Sequence, residues 1–420
     1  MNQPKKGLSP IVILGALFFI FGFVTWLNGT LIPYLKIACE LNNFESYLVA
    51  FAFYISYFVM ALPSSFVLKK TGFRKGMMLG LAVMALGALI FIPAAMTRTY
   101  GLFLTGLFVI GTGLSVLQTA SNPYITIVGP IESAAKRISI MGICNKVAGV
   151  IAPLILSTIV LADADKIVEG LATMLPEEKM TVLDGLARRA ILPYGMMAVV
   201  LIGLSLMIYF SPLPEIQPEE ENDDTNDSPT EHHSVFSFPN LVWGVIALFL
   251  YVGAEVIAGD TIGNYGHSQG IPLSEARYFT MFTLGAMVAG YIIGIVTIPA
   301  YLSQSKALAA SAVTGIIFSI AATQTSGYTS VLFIALLGFA NALVWPAIWP
   351  LAIDGLGKFT RQGSALLIMS ISGGALLPLV YGMLADLNSI GYKAAYWMLV
   401  PCYAFILFYS LKGSKSHRWQ

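Results

Sequence analysis

Three charged side chains sit in stretches otherwise apolar enough to cross a bilayer. Lys146 falls in GICNKVAGVIAPLI (142–155), and Glu255 and Asp260 fall in GAEVIAGDTIGNYG (253–266). A lysine at the bilayer centre costs about 2.5–3.5 kcal/mol even on the lenient insertion scale, and such residues usually find partners. One amine and two carboxylates leave a net charge of −1, so one Na+ or one proton would bring the set to neutrality. That is the chemistry of ion coupling: Lys146 as a fixed counter-ion, Glu255 and Asp260 as the cation-coupling acids, with a Na+ site expected near both. A purely stabilising pair between Lys146 and one acid is the plainer alternative.

Geometry constrains that reading. Glu255 and Asp260 are five residues apart, so on a regular helix they point roughly 140° apart. Both reach one cavity only if the helix is broken. Glycines 253, 259, 263 and 266 could break it, although small residues equally serve tight helix packing. Gly29 and Pro33 mark the corresponding place in the first span. At 1.5 Å per residue, Lys146 lies about 14 Å from the inner end of its span and Glu255 about 23 Å from that of its own.

A second set of residues suits a sugar, which needs amides for its hydroxyls and a flat aromatic for its apolar ring face. Asn28, Gln118, Asn122, Asn145, Asn264 and Asn341 supply the amides. Trp26 and Trp345 supply the rings, with Trp349 one turn further on. A buried amide without a partner is costly, yet any single one could serve as an interhelical hydrogen bond. The four histidines lie in a linker, at a helix end or in the tail, so no imidazole relay crosses the membrane. No HExxH occurs, and the one GxSxG match, GHSQG (266–270), closes an apolar span instead of joining a strand to a helix as a nucleophile elbow requires, which argues against an enzyme. Nothing calls for a cofactor beyond the coupling ion.

The elements that must position these residues follow from composition. The chain has 420 residues, 57% hydrophobic and 11% charged. Soluble domains carry roughly 25% charged residues, so this is an all-α polytopic membrane protein. Its net charge of +1 offers no field for nucleic acid. Cys39, Cys144 and Cys402 are odd in number and far apart, without disulfide or metal spacing. A spanning helix needs about 20 apolar residues. Twelve such spans are expected, near 10–35, 45–68, 76–96, 101–128, 137–160 and 191–210, then 240–266, 274–301, 307–323, 328–353, 362–384 and 394–411.

Between the two sets lies the polar segment 211–237, with eight acidic residues and no lysine or arginine. It reads as a disordered acidic linker, dividing the chain into six-helix bundles at 1–210 and 238–420. Placing both termini and the linker in the cytoplasm puts 14 of the 23 basic residues inside. The outer loops keep Lys36, Arg98, Lys166, Lys179, Arg188, Arg189, Arg277 and Lys393. The long outer loop at about 161–190 is expected as short amphipathic helices or a mobile cap. The halves also match: residues 21–34 align with 252–265, and 136–153 with 361–378, at shifts of 231 and 225. Two pseudo-symmetric six-helix bundles are implied, of the kind that rock around a central site.

Certain stretches carry a family likeness. WLNGTLIPYLK (26–36), LQTASNPYITIVGP (117–130), YVGAEV (251–256) and WPAIWPLAIDGLGKFTRQGSALL (345–367) resemble the major facilitator superfamily, specifically its fucose permease and glucose/galactose permease branch. LKKTGFRKG (68–76) resembles the superfamily's basic inter-helix loop without its usual aspartate. The resemblance implies a multi-pass symporter of the bacterial cytoplasmic membrane, importing a hexose with a cation and working as a monomer. In the fucose branch an aspartate on the first span and a glutamate on the fourth are expected to handle protons. The matching positions here are Gly29 and Gln118, which favours Na+ slightly over H+. Glu255 matches the acid typical of the glucose/galactose members. An N-acetylated hexosamine such as N-acetylglucosamine, or a fucose-type sugar, is the alternative substrate. A non-transporting membrane sensor is the alternative function.

Overall fold

The computed structural model describes residues 10–127, 134–171, 173–211, 234–298, 301–356 and 359–416. Among them every regular element is a helix. Twelve helices are long and apolar enough to cross a membrane. The first six are Ile11–Ala38, Asn43–Ser64, Lys70–Thr97, Tyr100–Ser121, Ile140–Val160 and Pro176–Phe210. The last six are Pro239–Asp260, Leu273–Thr297, Gln304–Gln324, Gly327–Ile353, Gln362–Asp386 and Gly391–Lys415. They are called the first to twelfth spans below. The sixth begins earlier than expected because the helix Pro176–Arg188 runs almost directly into Ile191–Phe210. Most of the expected linker, 212–233, lies outside the described residues.

Local chemistry sets several of these ends. Asn42 accepts the Glu45 amide at 2.7 Å while Glu45 accepts the Asn42 amide at 2.9 Å, a reciprocal cap that starts the second span. The chain turns into the third span at Gly72, whose φ of 74° suits a residue without a Cβ. Pro239 opens the seventh span at a position where its missing N–H costs nothing. Outward faces are apolar, with Phe66, Val199 and Phe210 66–78% exposed, as lipid contact requires.

The interior is unusual in one respect. Nine of the eleven largest fully buried side chains are tyrosines, so the core carries many hydroxyls that must find partners.

The repeat seen in the sequence recurs in the packing. A Cβ on Gly111 of the fourth span would lie 2.4 Å from the Phe53 carbonyl oxygen of the second. One on Gly338 of the tenth would lie 1.9 Å from that of Thr283 in the eighth. Residues 111 and 338 stand 227 apart, and 53 and 283 stand 230 apart, matching the sequence offset. The same fold element is built twice.

The outer loop is structured rather than loose. Two ion pairs, Lys179 with Glu40 and Arg98 with Asp184, tie the helix Pro176–Arg188 to the rest of the first half, and a third, Arg189 with Asp163, closes the segment carrying Ala164–Leu171 on itself. Tyr34 adds a hydrogen bond to the Ala187 carbonyl at 2.7 Å. This end of the molecule is the one that basic-residue placement predicts to face outward, and it is called the outer end below.

Candidate functional site

Three helices are interrupted at the depth of the candidate residues. The first breaks at Leu27, between Pro10–Trp26 and Asn28–Ala38. The seventh breaks at Thr261, where its hydroxyl bonds back to the Ile257 carbonyl at 2.7 Å and meets the Tyr396 hydroxyl at 2.7 Å. Such back-bonding by threonine competes with the helix ladder. The tenth breaks after Asn341, because Pro346 has no N–H to give the Ala342 carbonyl.

At the centre Lys146 of the fifth span donates to Glu255 of the seventh, Nζ to Oε1, at 3.0 Å. Each residue is 9% exposed. The depth mismatch read from sequence closes in part because the fifth-span helix begins at Ala134, which raises Lys146 above its inner end. The ammonium also lies 4.7 Å from the Trp26 ring centroid, a cation–π contact. This pair joins the first six spans to the last six in mid-membrane.

Asp260 is placed differently from the expectation. The seventh helix does break, but one residue past Asp260 rather than between the two acids. Glu255 and Asp260 therefore keep separate directions. Asp260 is fully buried and neither carboxyl oxygen has a hydrogen-bond partner. The Gly29 amide lies alongside it without hydrogen-bond geometry. Tyr54 of the second span is within electrostatic range of both acids.

The amides divide into paired and unpaired. Gln118 donates to the Tyr57 hydroxyl at 3.0 Å, Asn145 to the Phe18 carbonyl at 3.4 Å, and Asn341 accepts from Tyr403 at 2.9 Å. Both side-chain atoms of Asn28, and the nitrogens of Asn264 and Asn341, are buried without partners. Asn122 lies on the fourth-span helix, but its side chain is outside the described residues.

The two candidate rings also differ. Trp26 is 3% exposed and wedged where a Cβ on Gly149 or Gly259 would come within 2.6 Å of it, so here it presents no open face. Trp345 stacks on Trp349 with centroids 5.6 Å apart, both half-buried.

Sequence reading missed the tyrosines that face these groups. Tyr47, Tyr54 and Tyr57 lie on one side of the second span, and Tyr251, Tyr291 and Tyr403 lie near Glu255. The spacing of seven and three residues on the second span was the available signal.

Residues 14–378 match the Major Facilitator Superfamily. The chain belongs to that superfamily. It is 36% identical to the glucose/galactose transporter of Brucella abortus over 99% of this chain and 96% of that one. It is 29% identical to the L-fucose-proton symporter of Escherichia coli over 92% of this chain and 89% of the relative. Among solved structures, the superfamily transporter FucP in its outward conformation superposes with a TM-score of 0.72 at 27% identity, covering 97% and 99% of the two chains. The D-xylose-proton symporter shares the fold alone, with a TM-score of 0.71 at 14% identity. Twelve spans in a duplicated six-helix arrangement are thus the superfamily fold, and the chain is a membrane transporter rather than an enzyme.

Proposed function

We infer that the protein is a secondary active importer of a hexose of the glucose/galactose type, driven by cation symport. The observation that carries this reading is the mid-membrane charge set. Lys146 and Glu255 neutralise each other at 3.0 Å across the two halves, and Asp260 is left as a buried carboxyl without a partner. An isolated buried carboxylate is costly, so the site gains from a bound Na+ or proton. Na+ is the slightly preferred ion, because Gly29 and Gln118 stand where fucose-type proteins are expected to carry proton-handling acids. The relative named as an L-fucose-proton symporter supports H+ as the second reading.

The sugar would enter between the halves, where Gln118, Asn122, Asn145, Asn264 and Asn341 supply amides and the Trp345–Trp349 stack supplies aromatic surface. Asn28 lies beside Asp260's neighbour Gly29 and belongs to either the sugar or the ion. The glucose/galactose relative at 36% identity supports the hexose class. The paired tryptophans offer a second reading, an N-acetylated hexosamine whose acetyl group packs on them. The first six and last six spans act as two rocking bundles, with both termini in the cytoplasm of a bacterium.

A membrane potential supplies about 2.3 kcal/mol per charge per 100 mV. One inward cation therefore favours accumulation roughly fiftyfold before its own gradient counts. Labelled glucose, galactose, fucose and N-acetylglucosamine, offered to proteoliposomes under Na+ and pH gradients imposed separately, test the reading. Hexose uptake that follows the Na+ gradient is expected. Uptake that ignores both gradients overturns symport.

A further inference from the structure

The outer end carries two carboxylates whose partners lie on the opposite half. Asp386 is the last residue of the eleventh span. Its Oδ1 accepts the Asn43 amide at 3.2 Å and the Asn43 side chain at 2.5 Å, and its Oδ2 accepts the Phe44 amide at 2.8 Å. Asn43 and Phe44 are the first two residues of the second span. Asp165 stands just past the fifth span. Its Oδ1 accepts the Leu273 amide at 2.6 Å and its Oδ2 the Ser274 amide at 2.9 Å. Leu273 and Ser274 are the first two residues of the eighth span.

The two arrangements are the same one built twice in opposite directions. In the repeat the fifth span corresponds to the eleventh and the second to the eighth. Each half therefore lends a carboxylate from the end of one span to the first two amides of a span in the other half. The first amides of a helix have no acceptor within it, and an anion there is favoured.

We propose that Asp386 and Asp165 are the paired gating residues of the transport cycle, reciprocal caps that hold the outer end shut and must both let go for it to open. The arm bearing Asp165 moves with its own half. Asp163, two residues earlier, is paired with Arg189, and the helix Pro176–Arg188 is pinned by Lys179–Glu40 and Arg98–Asp184. The opposite contact, Arg277 to the Leu161 carbonyl at 2.7 Å, joins the same two spans. Lys36, donating to the Tyr392 hydroxyl at 2.7 Å, does so beside Asp386. Among the described residues, the side-chain hydrogen bonds between the halves gather at this end, with Lys146–Glu255 as the mid-membrane one. The proposal does not depend on which sugar or ion is carried.

The test is a distance distribution from double electron–electron resonance, with spin labels at Gly101→Cys and Asn388→Cys after the three native cysteines are replaced. Both positions are exposed at the outer end on opposite halves. In the parent a short distance should dominate. Asp386→Ala or Asp165→Ala should each raise the long-distance population by about tenfold relative to the short, and the double variant by more, since the sites are independent. Should an alanine variant not purify as a monodisperse protein, Asp386→Asn, which keeps one accepting oxygen, should give a smaller shift in the same direction. A double variant whose distribution matches the parent overturns the proposal. Because the readout needs neither sugar nor ion, failure of the symport reading leaves this result intact.

Discussion

Replacing Glu255 by glutamine and, separately, Asp260 by asparagine separates pairing from charge counting. Lys146 and Glu255 are 3.0 Å apart and each 9% exposed. Removing one partner of a buried ion pair costs about 3–5 kcal/mol, because the remaining charge stays desolvated. Here the amine keeps the Trp26 face at 4.7 Å, and a desolvated cation–π contact returns about 2 kcal/mol. Glu255→Gln should therefore lose about 1–3 kcal/mol and several degrees of thermal midpoint in detergent. Asp260→Asn removes a carboxyl that has no partner, so the midpoint should hold or rise. The charge sums fall together nonetheless. Glu255→Gln leaves one amine and one acid, and Asp260→Asn leaves a neutral pair. Both variants should exchange labelled sugar across proteoliposomes while failing to accumulate it under an ion gradient. Ion-driven accumulation surviving in both would refute the charge-set reasoning. Equal destabilisation by the two would refute the assignment of Glu255 as the lysine's partner.

Other outcomes follow from single contacts. Gly22→Ala would place a Cβ 1.8 Å from the Asn145 carbonyl oxygen; the first and fifth spans must part, so stability should fall by at least the 1–3 kcal/mol typical of overpacking, read as a lowered thermal midpoint. Tyr57→Phe removes the 3.0 Å partner of Gln118; if that amide meets the sugar, KM should rise about threefold to tenfold with little change in midpoint. Arg189 beside Asp163 holds that carboxyl below the usual carboxylate range. The stabilisation is therefore present above about pH 4 and is lost as pH falls through the depressed value. Hydrogen exchange across 164–188 should quicken in acid, and Asp163→Asn should remove the pH dependence.

The spans were legible because lipid imposes a length and a composition that twelve segments satisfy. Lys146 and Glu255 were legible for the same reason: charge in an apolar run stands out, and the run offers few partners. The break after Asp260 was not. Four glycines marked the region, but Thr261 makes the break through a hydroxyl bonded to its own helix and to Tyr396, a partner 135 residues away. Tyr57, the partner of Gln118, escaped notice because tyrosine within a span reads first as an interface anchor. Asp386 ends its span at an exposed position, and only the fold brings the Asn43 and Phe44 amides to it. Trp26 drew attention as a platform for sugar, yet the close approach of Gly149 and Gly259 closes it off. Such contacts depend on how spans far apart in sequence approach one another, which hydropathy does not encode.

Trp26 also makes the protein its own optical gauge. The indole touches Gly149 of one half and Gly259 of the other, at points where no Cβ would fit. Any parting of the halves at this level must uncover it to a wetter environment and shift its emission to the red. Replacing the other five of the chain's six tryptophans, at positions 243, 345, 349, 397 and 419, isolates it. What remains is a single fluorophore whose colour reads the separation without an added dye.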